Sequence, residues 1–262
     1  MEDLLKPEGS DRRVFLLGGA DLEMLEIKKL LDTEKIDYCD NHLGWSNAIL
    51  SSYDEQISRY EQMGYEIYGV ELRSDRAFPK KYTPIDHHNE YNGRRSSLEQ
   101  VAELLGVSLT RYQTLVAAND SAYIPGMLDL GATDEEIFYV RKNDRAAQGV
   151  TEVDERKAEV AITENMVVHK GVTVVKSDTS RFSCICDRLY GNDSLLVYTN
   201  SEWTYYGKFK LLLKEHFSEE ISRGNIYFGG TEQGFIGLGQ GIFPKDRIEL
   251  MVKEIIDLTN NA

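Results

Sequence analysis

The sequence predicts an α/β protein: a parallel-sheet domain followed by a smaller mixed α/β domain, with the active site in the cleft between them. Three observations carry that expectation. In the first half, short apolar runs alternate with stretches of helical rhythm, the pattern of a parallel sheet covered on both faces. In the second half, strand-like runs follow one another across turns. The charge also shifts: residues 1–165 hold 32 acidic and 19 basic residues, and residues 166–262 hold 12 and 11. The expected domains are therefore 1–165 and 166–262.

Each element has a local reason. Residues 13–17 form a short apolar run ending at Gly18-Gly19, which reads as a buried strand and a turn. Leu22, Leu25, Ile27, Leu30 and Leu31 recur with helical spacing. Residues 38–43 read as a short strand, 53–63 as a helix and 64–72 as a strand. Residues 82–85 form a further strand that runs into Asp86-His87-His88. Ser96 with Glu99 is a capping box, and Gly106 is the C-cap of the helix it opens. A helix from Arg111 reaches Asn119-Asp120, and Thr133 with Glu136 is a second capping box. Residues 153–165 read as a helix. Strands are expected at 167–168, 172–175, 182–185, 194–198, 203–206 and 225–228, with helices at 208–217 and 245–258.

Composition narrows the function. The net charge is -14, from 30 Lys+Arg against 44 Asp+Glu. Binding to long duplex DNA rests on cations neutralising phosphates, so it is not expected, and an anionic membrane is disfavoured likewise. No apolar run is long enough to span a bilayer, and residues 1–13 are too polar for a signal peptide. Cys39, Cys184 and Cys186 are too few for a disulfide framework. The alternation of Cys184 and Cys186 in a strand-like run puts both on one face. A cytoplasmic protein is expected.

The chemistry concentrates at strand ends. Asp86-His87-His88 follows a predicted strand, and ligands in open α/β sheets gather at the carboxyl ends of strands. Imidazole with carboxylate suits Mn, Zn or Fe. Asp21 and Glu23 follow the first strand, Glu71 ends another, and Asp120 ends a helical run. A two-metal site, with ions about 3.5–4 Å apart, needs such a set of carboxylates. Each acid taken alone also suits a helix N-terminus or a loop. Arg94 and Arg95 offer a phosphate clamp or a plain charged surface. Residues 227–241 are glycine-rich and suit either an anion-binding turn or a tight hairpin.

Residues 84–88 (Pro-Ile-Asp-His-His), 95–99 (Arg-Ser-Ser-Leu-Glu) and 118–120 (Ala-Asn-Asp), with Asp21-Leu22-Glu23, resemble the motifs of the DHH phosphoesterase superfamily. The motifs lie between residue 13 and about residue 130. The resemblance implies hydrolysis of a small nucleotide-like phosphoester. It implies two divalent ions, Mn first, with Mg, Co or Fe as alternatives. Metal ligands would be Asp21, Glu23, Glu71, His87 and Asp120. His88 would contact the phosphate, Asp86 would orient the His pair, and Arg95 would act beside them. Arg94, Gly229, Gly230 and Thr231 would hold the substrate. The chain departs from the family where Leu17 replaces a histidine, Glu23 replaces an aspartate, the bridging aspartate's place falls to Glu71 or else to Asp75, and the glycine turn lacks its histidine. Those departures define the alternative, a DHH-like protein that binds a nucleotide or anion without turnover. A homodimer is compatible with either.

Overall fold

A computed structural model describes residues 12–230 and 234–260. In the first half the elements are β1 (Arg13–Leu17), α1 (Leu22–Glu34), β2 (Asp37–Asp40), α2 (Asp54–Gln62), β3 (Glu66–Val70), β4 (Tyr82–Ile85), α3 (Ser97–Leu105), α4 (Arg111–Asp129) and α5 (Asp134–Ala147). The strands form one sheet in the order β2-β1-β3-β4, parallel throughout. β1 explains why its sequence is apolar without alternation. Phe15 and Leu17 enter a core with α1, α3, α4 and α5, while Val14 and Leu16 enter a second core with Leu50, Tyr53 and Ile57. A strand buried on both faces needs apolar residues at every position.

The expected caps are present. Ser96 and Glu99 bond reciprocally at the start of α3, as do Thr133 and Glu136 at α5. Gly106 ends α3 in the left-handed conformation, at φ 71°. One helix runs further than the sequence suggests: α4 continues past Asp120 but breaks at Ala122 and Tyr123. Pro125 causes the break, because its ring crowds the carbonyl one turn back and it has no N–H to give.

The second half comprises α6 (Glu152–Asn165), β5 (Met166–His169), β6 (Val172–Lys176), α7 (Ser183–Arg188), β7 (Ser194–Tyr198), β8 (Trp203–Gly207), α8 (Lys210–His216), α9 (Ser218–Ser222), β9 (Ile226–Gly229), β10 (Phe235–Leu238) and α10 (Lys245–Asn260). Its strands form a second sheet, β5-β6-β7-β8-β10-β9, in which only β6 and β7 run parallel. One face packs against α8 and α10 and the other against α6 and α7. β5 lies at the sheet's edge, and its four residues are all exposed.

The strand expected at 182–185 is a correction: that segment lies largely in α7. Phe182, Ile185 and Leu189 bring their side chains to one core at helical spacing. Six residues are too short a run for the period to separate a helix from a strand. Cys184 and Cys186 are still both buried and reduced, now on a helix rather than on one face of a strand. The chain divides into compact units at Gly149/Val150, earlier than the charge shift suggests. The reason is α6, whose Ala158 and Ala161 belong to the core of Val175, Ile185 and Val197. Among the described residues, no helix is long and apolar enough to cross a membrane.

Candidate metal centre

The first sheet creates the site through its strand order. The chain goes from β1 to β2 on one side and returns to β3 on the other. Where an open sheet reverses in this way, the loops leaving the strands separate and leave a crevice at their carboxyl ends. Asp21 and Glu23 follow β1, Glu71 follows β3, and His87 follows β4. Backbone bonds lock these exits together: Gly18 N donates to Val70 O at 2.9 Å, and Glu71 N to Ile85 O at 2.8 Å. Gly18 is required there, because a Cβ would come within 2.6 Å of Glu71 O. Glu71 itself holds φ 51°, a conformation that strains a residue with a side chain.

Four side chains converge. His87 Nε2 lies 2.7 Å from Asp120 Oδ2, 3.5 Å from Glu23 Oε2 and 3.5 Å from Glu71 Oε1. Glu23, Glu71, His87 and Asp120 each offer a ligand atom within 4.8 Å of the others. Glu71, His87 and His88 form a second, overlapping group. Glu23 Oε2, both Glu71 oxygens, His87 Nε2 and Asp120 Oδ2 are buried without a hydrogen bond, even across the 2.7 Å approach. Buried polar atoms left unpaired are costly, and several of them aimed at one point are what a cation would satisfy. The mixed carboxylate and imidazole donors suit Mn or Zn.

The electrostatics follow from crowding. Burial opposes charge on His87, but Asp120, Glu23 and Glu71 outweigh it and push its pKa up to about 12. Burial raises Glu71 well above the usual carboxylate range, with the charges of Glu23, Asp120 and Asp21 adding to it. Burial also raises Glu23, yet the contacts with His87, Glu71 and the Leu98 N–H outweigh it and hold its carboxyl low. Asp120 is raised, first by burial and then by Glu23. Asp21 is raised to about 7 by burial and by Asp120.

The remaining expected residues take distinct places. Asp21 caps α1, accepting from Met24 N at 2.9 Å, and lies in neither convergent group. Asp86 holds His88, accepting from its amide at 2.8 Å and lying 3.2 Å from its Nδ1. Asp75 bonds Ser51 rather than joining the group. Arg94 stacks over Tyr91, and Arg95 forms an exposed ion pair with Glu103 at 3.1 Å. In the second unit, Gly229 and Gly230 present their carbonyls to Lys210 Nζ, at 3.3 and 2.9 Å. Gly229 is the last residue of β9, paired with Phe235 of the antiparallel β10, Gly230 follows it, and Thr231 lies outside the described residues. Leu17 is buried in the core, and its carbonyl accepts from Tyr53 Oη at 2.6 Å.

Two contributors give no sequence signal. Arg141 of α5 donates to Asn119 Oδ1 at 3.0 Å and Asp144 Oδ2 at 2.7 Å, and it covers the Tyr123 ring. It thereby braces α4 beside Asp120, at the break. Trp45 lies beside His88, with ring centres 6.5 Å apart. Neither residue belongs to a recognisable motif, and nothing in their spacing marks them.

The motif residues 86–88 and 120, separated in sequence, meet with Glu23 and Glu71 at one sheet edge. His87, His88 and Asp120 are among the residues that carry the resemblance to the DHH motifs. No protein-family model matches it, and no curated protein sequence matches it. Solved structures similar to this chain include a DHH-domain member of a family of ribosomal proteins. That structure is 12% identical, with 94% of this chain and 87% of that one covered and a TM-score of 0.48. A pGpG-specific phosphodiesterase, PggH from Vibrio cholerae, is 12% identical, with 94% and 98% covered and a TM-score of 0.47. RecJ from Thermus thermophilus, in complex with Mn2+, is 9% identical, with 95% of this chain but 52% of that one covered and a TM-score of 0.44.

Proposed function

We propose that the protein is a divalent-metal-dependent phosphoesterase acting on a small nucleotide-like phosphoester. The observation that carries this reading is the convergence of Glu23, Glu71, His87 and Asp120 with their inward atoms unpaired. A divalent ion held there supplies charge stabilisation at a phosphoryl oxygen and an activated water at neutral pH. Glu71 belongs to both convergent groups and keeps both oxygens unpaired, so it is the residue suited to lie between two ions. Asp86 fixes the His88 ring through Nδ1, which leaves Nε2 to hydrogen-bond the substrate phosphate. A short substrate fits the acid excess, which favours no long phosphate backbone.

The second reading, binding without turnover, is favoured by Leu17. A core leucine stands where the resemblance implies a ligand, so one ion would be short of a donor.

One experiment separates the readings. The purified protein is assayed with Mn against cyclic dinucleotides, short oligonucleotides and pyrophosphate, with bound metal measured by elemental analysis. Turnover that His87→Ala abolishes, along with the bound metal, supports the enzyme. Bound metal without turnover supports the second reading. Neither metal nor turnover overturns the enzyme reading.

A further inference from the structure

We propose that the indole of Trp45 is a stacking platform for a nucleobase, and that it sets the preference for a nucleotide over a bare phosphoester. This inference rests on the phosphoesterase reading and names the part of the substrate that reading leaves open.

The chain has two tryptophans, and they differ sharply. Trp203 is fully buried in the second unit, whereas Trp45 is 48% exposed. An indole is usually covered on most of its surface, so one left open at a site is informative. Trp45 is also held rigidly. Its loop is closed by Asn47 N donating to Gly44 O at 3.0 Å and by Ser52 Oγ donating to Asn47 O at 3.1 Å. Arg73, two residues beyond Glu71, ties the loop to the site: Nη2 donates to Ser46 O at 2.8 Å, and its amide donates to Ala48 O at 3.0 Å.

The ring's surroundings place it at the rim of the cluster. Its benzo edge rests on Gly19, where a Cβ would come within 2.6 Å of the indole. Gly19 also holds φ 74°, so side-chain residues are excluded there twice over. His88 also stands beside the ring, its imidazole meeting the indole at an interplanar angle of 64°. A phosphate held by His88 and by a cation at the convergent carboxylates would therefore leave its sugar and base beside an exposed aromatic face. Stacking is sequence-tolerant because every base has a π-face. Stacking by itself does not read base edges, so the platform would accept purines and pyrimidines alike.

The test uses the full chain with Mn. One substrate is a dinucleotide. The other has the same two riboses and phosphodiester but no bases. Trp45→Ala should lower the kcat/KM preference for the dinucleotide roughly ten- to a hundredfold, mostly through KM, and Trp45→Phe should restore most of it. An equal fall on both substrates would mean that the indole only props the site, and overturns the proposal. A second readout needs no turnover. Nucleoside monophosphates should quench tryptophan emission in the wild type but not in Trp45→Phe, since Trp203 is shielded. Quenching without turnover of any substrate leaves the platform standing and removes the phosphoesterase reading. Turnover with no quenching and an unchanged preference does the reverse.

Discussion

Glu23 accepts the backbone N–H of Leu98 at 3.0 Å through Oε1, while its Oε2 faces His87 at 3.5 Å. One acid thus serves two tasks, one of them 75 residues away in sequence. The first turn of α3 has donors with no partner inside the helix, and Ser96 satisfies only one of them. Glu23 takes another. This accounts for a glutamate where the resemblance implies an aspartate: the extra methylene lets the carboxylate span the helix start and the cluster together.

Glu23→Asp should therefore lose one of those contacts. Its expected cost is about 1 kcal/mol of stability, the scale of a lost cap, together with weaker Mn binding. Glu23→Gln keeps an acceptor for Leu98 and should lose chiefly the metal. Denaturant unfolding alongside an Mn titration distinguishes them. Full stability and full Mn affinity in Glu23→Asp would refute the dual role.

Glu71→Gly should make the metal-free protein more stable. It removes a buried carboxylate whose neighbours oppose its charge, and it relieves a φ of 51° that costs about 1–3 kcal/mol. The same change deletes the shared ligand. The expected result is a higher midpoint of thermal unfolding without Mn, and a smaller rise when Mn is added. A lower midpoint without Mn would show that Glu71 supports the fold.

Arg141→Met should destabilise by about 3–5 kcal/mol, because it leaves Asp144 buried without its cation. Asn119 also loses a donor, next to Asp120. Loosening should extend to the cluster, so Mn affinity should fall as well. Chemical unfolding and Mn titration read both effects. A stable variant with intact affinity would remove Arg141 as a brace.

Asp154→Asn tests acid stability in the second unit. Bonds from Thr151 and Thr179 draw the Asp154 carboxyl down to about 2, below its ordinary 3.8. A depressed carboxyl contributes stability above its unfolded value and loses it as pH falls through the folded one. Wild type should therefore exceed the variant at pH 7, and the two should converge between about pH 4 and pH 2. Urea midpoints across that range measure it; a gap that persists at the acid end would contradict the bonding.

The legibility of the fold varied with the length of each signal. β1 and α3 were readable because an apolar run bounded by Gly18 and a reciprocal Ser96–Glu99 cap each leave a local mark. α7 was not, since a single turn and a half has no period to detect. Asp21 and Glu23 stand two residues apart, yet one caps its own helix while the other reaches the cluster. Sequence adjacency could not separate those two fates, because the split depends on which acid lies opposite α3. Trp45 and Arg141 were silent for the same reason: their importance lies in Gly19 and Asn119, partners distant in the chain.

The exposed outer strand β5, Met166-Val-Val-His169, has a consequence for handling the protein in solution. Among the described residues no strand pairs with its outer side, which is a template on which another molecule can add a strand. Near neutral pH the surplus of carboxylates keeps neighbouring molecules apart by mutual repulsion. Mild acidification neutralises that colloidal barrier, so concentrated stocks would turn cloudy through edge-to-edge growth of the second sheet.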